Sequence, residues 1–524
     1  MIIVFTLIST QLHIINEGNS TNCTENNPCN YNHAMELLDQ QEIIFFHDQI
    51  ISEPEHIKSF RLLASKALSK GISIQGTKTL IIGSSSEFYK PAFISFENSK
   101  NTFIEGFIFS EFHSSIIQTR SSNSFSIKNC LFQENHIDKK LSLLIFSHSS
   151  IILKNTNITL CTIHDSSLIS THMSSIFWDS CIIDNVFSFH ISDNPLFLMI
   201  ETNLSILATI FIRNNSPYSP LFTIIGNSNV LVINSTFSSN QNTELFQCDS
   251  IKHVNFTNSL LYDNQGTVIS TIEGTLITLN NSKFHQNFSP VAPLFTIHNS
   301  SLSIYENCQF LSNSAIDFFL IDGENSLLSL NNSKFIGNHL FNSLIHGENY
   351  AKIEIENCFF EKTQSKNFVI GGIQISVNLL NSSFSESFSP VLSVNKSDLT
   401  IFNSIFQKSY SQGKLAILSA KSKIRIEKSN FNDNTLSYVL LLQGNITLKK
   451  LFFETPMEFA LSTNLQKNCR KCHFKPKFED ENHFSIPKMM IIMYFMVFLF
   501  VFILFRKKIL ISFRRLRNRR HILD

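Results

Sequence analysis

An apolar slot recurring about every 25 residues constrains this chain more than any other feature. In Asn331-Asn332-Ser333-Lys334-Phe335-Ile336-Gly337-Asn338, a small residue and a variable one separate Asn332 from Phe335, and another Asn follows three positions later. Asn307-Cys308-Gln309-Phe310 with Asn313, Asn234-Ser235-Thr236-Phe237 with Asn240, and Asn129-Cys130-Leu131-Phe132 with Asn135 repeat the pattern. The slot falls at 109, 132, 158, 183, 211, 237, 261, 284, 310, 335, 360, 384, 406, 431 and 453. That is 14 steps over 453 − 109 = 344 residues. A unit this short buries an apolar face only by stacking on its neighbours, so the pattern predicts a solenoid.

With the slot numbered zero, apolar residues recur at −7 and −5 and a small residue at −2. Leu204, Ile206, Thr209 and Phe211 show it, as do Ile424, Ile426, Ser429 and Phe431. Alternation with period two marks a strand with one buried face. The parity slips between −5 and −2, so the chain bends there, and the Asn pairs suit a corner because Asn tolerates left-handed backbone. A third strand follows about ten residues on: 219–224, 292–297 and 389–394 are near copies of one another. Three strands and three turns per coil predict an all-β parallel β-helix of about 15 coils. At a strand spacing of ~4.8 Å it would be a rod roughly 70 Å long.

The 51 Phe residues are then expected to form an internal stack rather than a ligand platform. Asn at +3 should form a hydrogen-bonded ladder that satisfies buried backbone groups. Trp178, the only Trp, sits at an inward −5 position and reads as core.

Phe or Leu, two residues, then Asn occurs at 132, 211, 237, 261, 284, 310, 335 and 431. This resembles the FxxN half of the repeats in the polymorphic outer-membrane protein family, in a single-pass membrane-anchored form. The family's Gly-Gly-Ala-Ile half is approached only at Gly371-Gly372-Ile373. The resemblance implies a right-handed β-helix displayed at a cell surface and engaged in adhesion.

The ends differ from the repeat. Residues 1–18 read as a signal peptide built on the apolar run Met1 to Ile8, and 19–70 as a polar cap over the first coil of a β-helix at 71–455. Residues 456–486, with Pro456 and Pro476, read as a second cap and stalk. A transmembrane helix is expected at 487–505, where Met489 to Phe505 gives 17 uninterrupted apolar residues, about 25 Å of helix. Residues 506–524 form a basic tail of eight Lys/Arg and one Asp, or +7, against a whole-chain charge of +1. Positive-inside logic leaves that tail in the cytoplasm and the β-helix outside, a type I plasma-membrane protein. A whole-chain charge of +1, with only 16% charged residues, argues against nucleic-acid binding.

Cysteines separate into two kinds. Cys130, Cys181, Cys308 and Cys358 occupy the −2 position, each pair two coils apart and too distant to bridge, so buried free thiols are expected. Cys161 and Cys248 have no evident partners. Cys23 and Cys29, and Cys469 and Cys472, are disulfide candidates; His473 would make only a third zinc ligand beside the second pair. Glycosylation sequons stand at Asn19, Asn22, Asn157, Asn203, Asn214, Asn234, Asn255, Asn280, Asn287, Asn299, Asn331, Asn381, Asn395 and Asn445.

No catalytic, cofactor or metal residues are assigned. Asp138, Asp165, Asp179, Asp184, Asp263 and Asp317 are scattered, whereas polysaccharide-cleaving enzymes need carboxylates converging on one face. The expected function is adhesion or recognition of an extracellular carbohydrate or protein. A membrane-tethered polysaccharide lyase or hydrolase of the pectin-lyase-like fold, or a non-specific structural coat, are the alternatives.

Overall fold

A computed structural model describes residues 94–474, apart from 139–140, 190–193, 389, 409–415, 433–438, 455–459, 462 and 467–468. Before them it describes the backbone of strands Gln11–Ile14, Asn19–Thr24, Asn27–Cys29, Ile43–Phe46, Ile50–Ser52 and Ser73–Ile82. The expected membrane span and basic tail lie outside the described residues. Among those described, no helix is long and apolar enough to cross a membrane.

The chain folds as an all-β, right-handed parallel β-solenoid of about 14 turns. One coil shows the plan. Asn203–Leu207 forms a first face and Ile210–Ile212 a second; Asn215–Ser216 and Phe222–Ile225 together make the third side. Each strand pairs in parallel with its counterpart one coil away, as Phe211 does with Ile183 and with Phe237. The first and second faces are joined through Ser73–Ile82 and Phe103–Ser110, which run through the corner between them.

The apolar slot is the register of the whole rod. Phe109, Phe132, Ile158 and Ile183 pair in succession, and the ladder continues without a slip to Phe431 and Phe453. It extends past the first and last slots read from sequence, to Ile81 and Ile51 on one side and Phe474 on the other. In addition, Gln11–Ile14 pairs in parallel with Ile43–Phe46. The segments read as caps therefore contain strands of the same ladder.

Identical side chains in register stack face to face. Phe360 lies 4.5 Å from Phe384 at 2°, and Phe211 lies 4.7 Å from Phe237 at 1°. Slot rings stack continuously from Phe284 to Phe474, while Leu261, Ile158 and Ile183 interrupt the column elsewhere. Trp178 is fully buried and stacks on Phe211 at 5.3 Å, as its −5 position requires.

Corners turn on left-handed residues, usually one each, with Glu306–Asn307 and Asn349–Tyr350 as consecutive pairs. The residue at −3 has positive φ in each described coil, most often Asn, as in Asn155, Asn332 and Asn381. A second such bend falls at +2, where Glu134, Arg213, Asp263 and Lys362 show no residue preference. Polar ladders line the insides of these bends. Asn264 Nδ2 donates to Asn287 Oδ1 at 3.0 Å and to the Phe237 carbonyl at 2.9 Å. The Asn287 oxygen also accepts from the Asn264 backbone N–H at 3.2 Å. The same set of bonds links Asn214, Asn240, Asn264, Asn287, Asn313 and Asn338, all buried. At −2, hydroxyls serve the same purpose: the Thr209 N–H donates to Ser235 Oγ, and the Ser235 N–H to Ser259 Oγ. A third ladder, again of hydroxyls, runs from Thr275 to Ser300 and from Ser397 to Ser422 and closes the bend between third side and first face.

The Gly371-Gly372 pair is explained by close approach. A Cβ on Gly372 would stand 1.8 Å from the Gly347 carbonyl oxygen, and its φ of +151° is open only to glycine.

Candidate functional site

The described cysteines do no surface chemistry. Cys130, Cys161, Cys181, Cys248, Cys308 and Cys358 are buried free thiols. Desolvation pushes Cys181 and Cys308 up to about 11 and Cys130 and Cys358 up to about 12, so none is a thiolate nucleophile. Cys469 and Cys472 form a disulfide. Cys23 and Cys29 lie on adjacent antiparallel strands, with side chains outside the described part.

The aspartates do not converge: only Asp179 and Asp184 share a coil, on either side of the corner at Ser180. Asp184 takes Nε of Arg213 at 3.0 Å, Asp179 pairs with Lys154 at 3.4 Å, and Asp138 stands 3.7 Å from His113. Asp263 accepts from Ser239, and the Asp165 carbonyl from Asn194. Asp317 is different, being buried, with its carboxyl pushed up by desolvation. Asn342 Nδ2 donates to its Oδ2 at 3.3 Å. His346 Nδ1 lies 4.0 Å from its Oδ1, and Glu348 holds His346 Nε2 at 3.2 Å. Burial also raises Glu244. Glu244 aligns with Thr267, and Asp317 follows three coils beyond Glu244 at the same position. Three strand spacings put them about 14 Å apart, beyond the roughly 5–10 Å that separates paired glycosidase carboxylates. Among the described residues no group of three His, Cys, Asp or Glu could hold a metal ion.

The most exposed apolar side chains stand mainly on the edge between the second face and the third-side strand, although Tyr350 is 60% exposed at the third corner and Phe177, Tyr305 and Phe452 are exposed on the first two faces. Val291 is 84% exposed, Phe341 63%, Phe189 62% and Tyr218 59%, and Phe288 and Phe388 stand out beside them. This corrects the expectation that the Phe residues serve the internal stack alone. Phe288 and Phe341 take outward positions in strands Phe288–Ser289 and His339–Glu348, beside buried Ser289 and Leu340, whereas Phe189 and Tyr218 fall outside the strands.

The edge contains a groove of about 460 Å³ bounded by Phe288, Pro290 and Phe341 and floored by Ser314, Ala315, Ile316 and Leu340. His339 and Gln364 complete it, with His339 Nδ1 3.0 Å from Gln364 Oε1. The amide oxygen only accepts, so Nδ1 carries the proton; His339 Nε2 and the Gln364 amide remain for a ligand. Lys366 Nζ lies 4.9 Å from the centre of the Phe341 ring. A second groove of about 370 Å³, at the opposite corner, is polar and contains His148, Ser149, Ser174, Glu201 and the sequon residue Asn203.

The sequons divide by burial. Asn214 and Asn287 belong to the buried amide ladder, with both amide hydrogens engaged, so neither has room for a glycan in the folded chain. Asn203, Asn234, Asn381 and Asn445 are exposed. Asn157, Asn255, Asn280, Asn299, Asn331 and Asn395 are half-buried, and the side chains of Asn19 and Asn22 lie outside the described part.

No protein-family model and no curated protein matches this sequence. Among solved structures, the chain is similar to the catalytic domain of a GH87 alpha-1,3-glucanase in complex with nigerose, with 10% identity and TM-score 0.34. That match covers 74% of this chain and 66% of the glucanase chain. PfbA, a surface adhesin of Streptococcus pneumoniae, matches with 10% identity, TM-score 0.25, and 66% and 86% of the two chains covered. The tailspike of E. coli bacteriophage HK620, in complex with a pentasaccharide, matches with 9% identity, TM-score 0.31, and 71% and 76% coverage. Similarity this low extends to neither activity nor ligand.

Proposed function

We propose that this chain is a type I, single-pass surface protein whose β-helix is a rigid rod for adhesion or recognition of carbohydrate or protein. The observation that carries the reading is the edge holding Phe189, Tyr218, Phe288 and Phe341, each about half exposed or more, on a rod whose slot rings are stacked inside. An exposed apolar concentration of this kind marks an interaction site. The apolar run at 489–505 followed by the basic tail supports an anchor with the rod outside. Resemblance to the FxxN repeats of the polymorphic outer-membrane protein family supports the same role.

Cleavage of polysaccharide is the second reading, favoured by the raised carboxyl of Asp317 next to the groove residue Ile316. Against it, no carboxylate lines the groove among the described residues, and Asp317 is buried beneath Asn342. Binding without turnover fits these groups better. Cells displaying the full chain should adhere to glycan- or matrix-coated surfaces more than cells without it. Equal adhesion, or release of new reducing ends from polysaccharide, would contradict the reading.

A further inference from the structure

The sequons and the aromatic edge are segregated around the rod. Asn203, Asn255, Asn280, Asn331 and Asn445 lie on first-face strands, and Asn157 on a second-face strand. Asn234 and Asn381 mark the corner between these faces, while Asn299 and Asn395 lie at the far end of the third side. The two sequons nearest the aromatic edge, Asn214 and Asn287, are the buried ones. The edge holding Phe189, Tyr218, Phe288 and Phe341 therefore carries no acceptor that could take a glycan, although acceptors line the other sides.

From this segregation we infer that the bare edge is the ligand face, and that its ligand is a polysaccharide lying along the rod over Phe288 and Phe341. The inference rests on the recognition reading above and names its ligand. An extended peptide adding as a strand is disfavoured, because backbone N–H and C=O groups along the side of the rod are used between coils. What the groove offers is aromatic surface flanked by uncharged hydrogen-bonding groups: Ser314, the Nε2 of His339 and the amide of Gln364. A pyranose ring fits that pairing, with its C–H face on a ring and its hydroxyls on the polar groups. Exposed rings recur in the coils of Ile183, Phe211, Phe284 and Phe335, so the surface suits a polymer longer than one groove. The coil spacing of ~4.8 Å is close to the length of one sugar unit in an extended glycan. Lys366 beside Phe341 favours a neutral or acidic glycan over a basic one.

The full-length chain, solubilised in detergent, would be tested on immobilised β-glucan, galactan, poly-N-acetylglucosamine, polyuronate and a sulfated glycosaminoglycan, and on matrix proteins. Phe288→Ala and Phe341→Ala would be compared with Leu231→Ala, an exposed first-face site, with thermal melting as the folding control. The expected result is binding to at least one polysaccharide, reduced roughly tenfold by either edge substitution and unchanged by Leu231→Ala. Polysaccharide binding indifferent to the edge substitutions overturns the inference and leaves the recognition reading intact. So does binding to matrix proteins alone. Binding to none of these surfaces overturns both.

Discussion

Asn264 and Asn287 stand 23 residues apart in sequence, yet the side-chain amide of the first donates to Oδ1 of the second at 3.0 Å. The Asn287 oxygen also takes the Asn264 backbone N–H. One residue type thus caps the inside of the +2 bend in six successive coils, and each amide depends on the next.

Asn264→Ala would therefore strand the Asn240 amide, the Asn240 N–H and the Phe237 carbonyl together. A loss on the order of 3 kcal/mol is expected, since each unsatisfied buried group costs about 1–3 kcal/mol. Chemical denaturation measures it. A loss comparable with that of an exposed Asn→Ala change away from the corners, such as Asn445→Ala, would show that the ladder contributes little.

Phe335 stacks on Phe310 at 4.6 Å and on Phe360 at 4.9 Å. Truncation to Ala should cost about 3–5 kcal/mol. Phe335→Leu should cost much less, because Leu261 already fills the same slot between Phe237 and Phe284. Denaturation of the two variants side by side checks the order.

The six buried thiols should resist an alkylating reagent at pH 8 in the folded protein and react fully on denaturation. Mass spectrometry counts the adducts. At −2, Cys308→Ser replaces the weak S–H donor that reaches the Leu279 and Tyr305 carbonyls with the hydroxyl that Ser282 and Ser333 already carry in the adjacent coils. Its expected effect is between neutral and about 1 kcal/mol stabilising.

Asp317 has its carboxyl raised by burial, with Asn342, His346 and Glu348 facing it. A carboxyl whose folded pKa exceeds its unfolded value contributes stability below the ordinary carboxylate range, and that contribution is lost as pH rises through the raised value. Asp317→Asn removes this dependence. Its Tm should exceed that of the unmodified chain at pH 8 and match it near pH 4. The reverse order would mean that the charged form is the better accommodated one.

How much of this was legible in the sequence depends on whether physical roles left fixed spacings. The slot positions from 109 to 453 all fall in register because a stacked ring tolerates no slip. The −3 corner was readable through Asn332 and its equivalents, whose side chain suits positive φ. The +2 corner was not, because Arg213 and Lys362 adopt the same backbone and carry no signature. In a Ser-rich chain, the hydroxyl ladder at the third corner, Ser397 to Ser422, was hidden. The aromatic edge was missed for a related reason. Phe288 lies at +4, Phe341 at +6 and Tyr218 at +7, so no period separates them from the Phe residues of the core. Likewise, sequence alone treats Asn287 and Asn381 as equal sequons, though one is locked in a ladder and the other exposed.

Surface display is tested by protease treatment of intact cells expressing the chain with a tag after Asp524. Release of the β-helix with protection of a short tagged fragment is expected. Protection of the β-helix with loss of the tag would contradict the orientation, and the adhesive role with it.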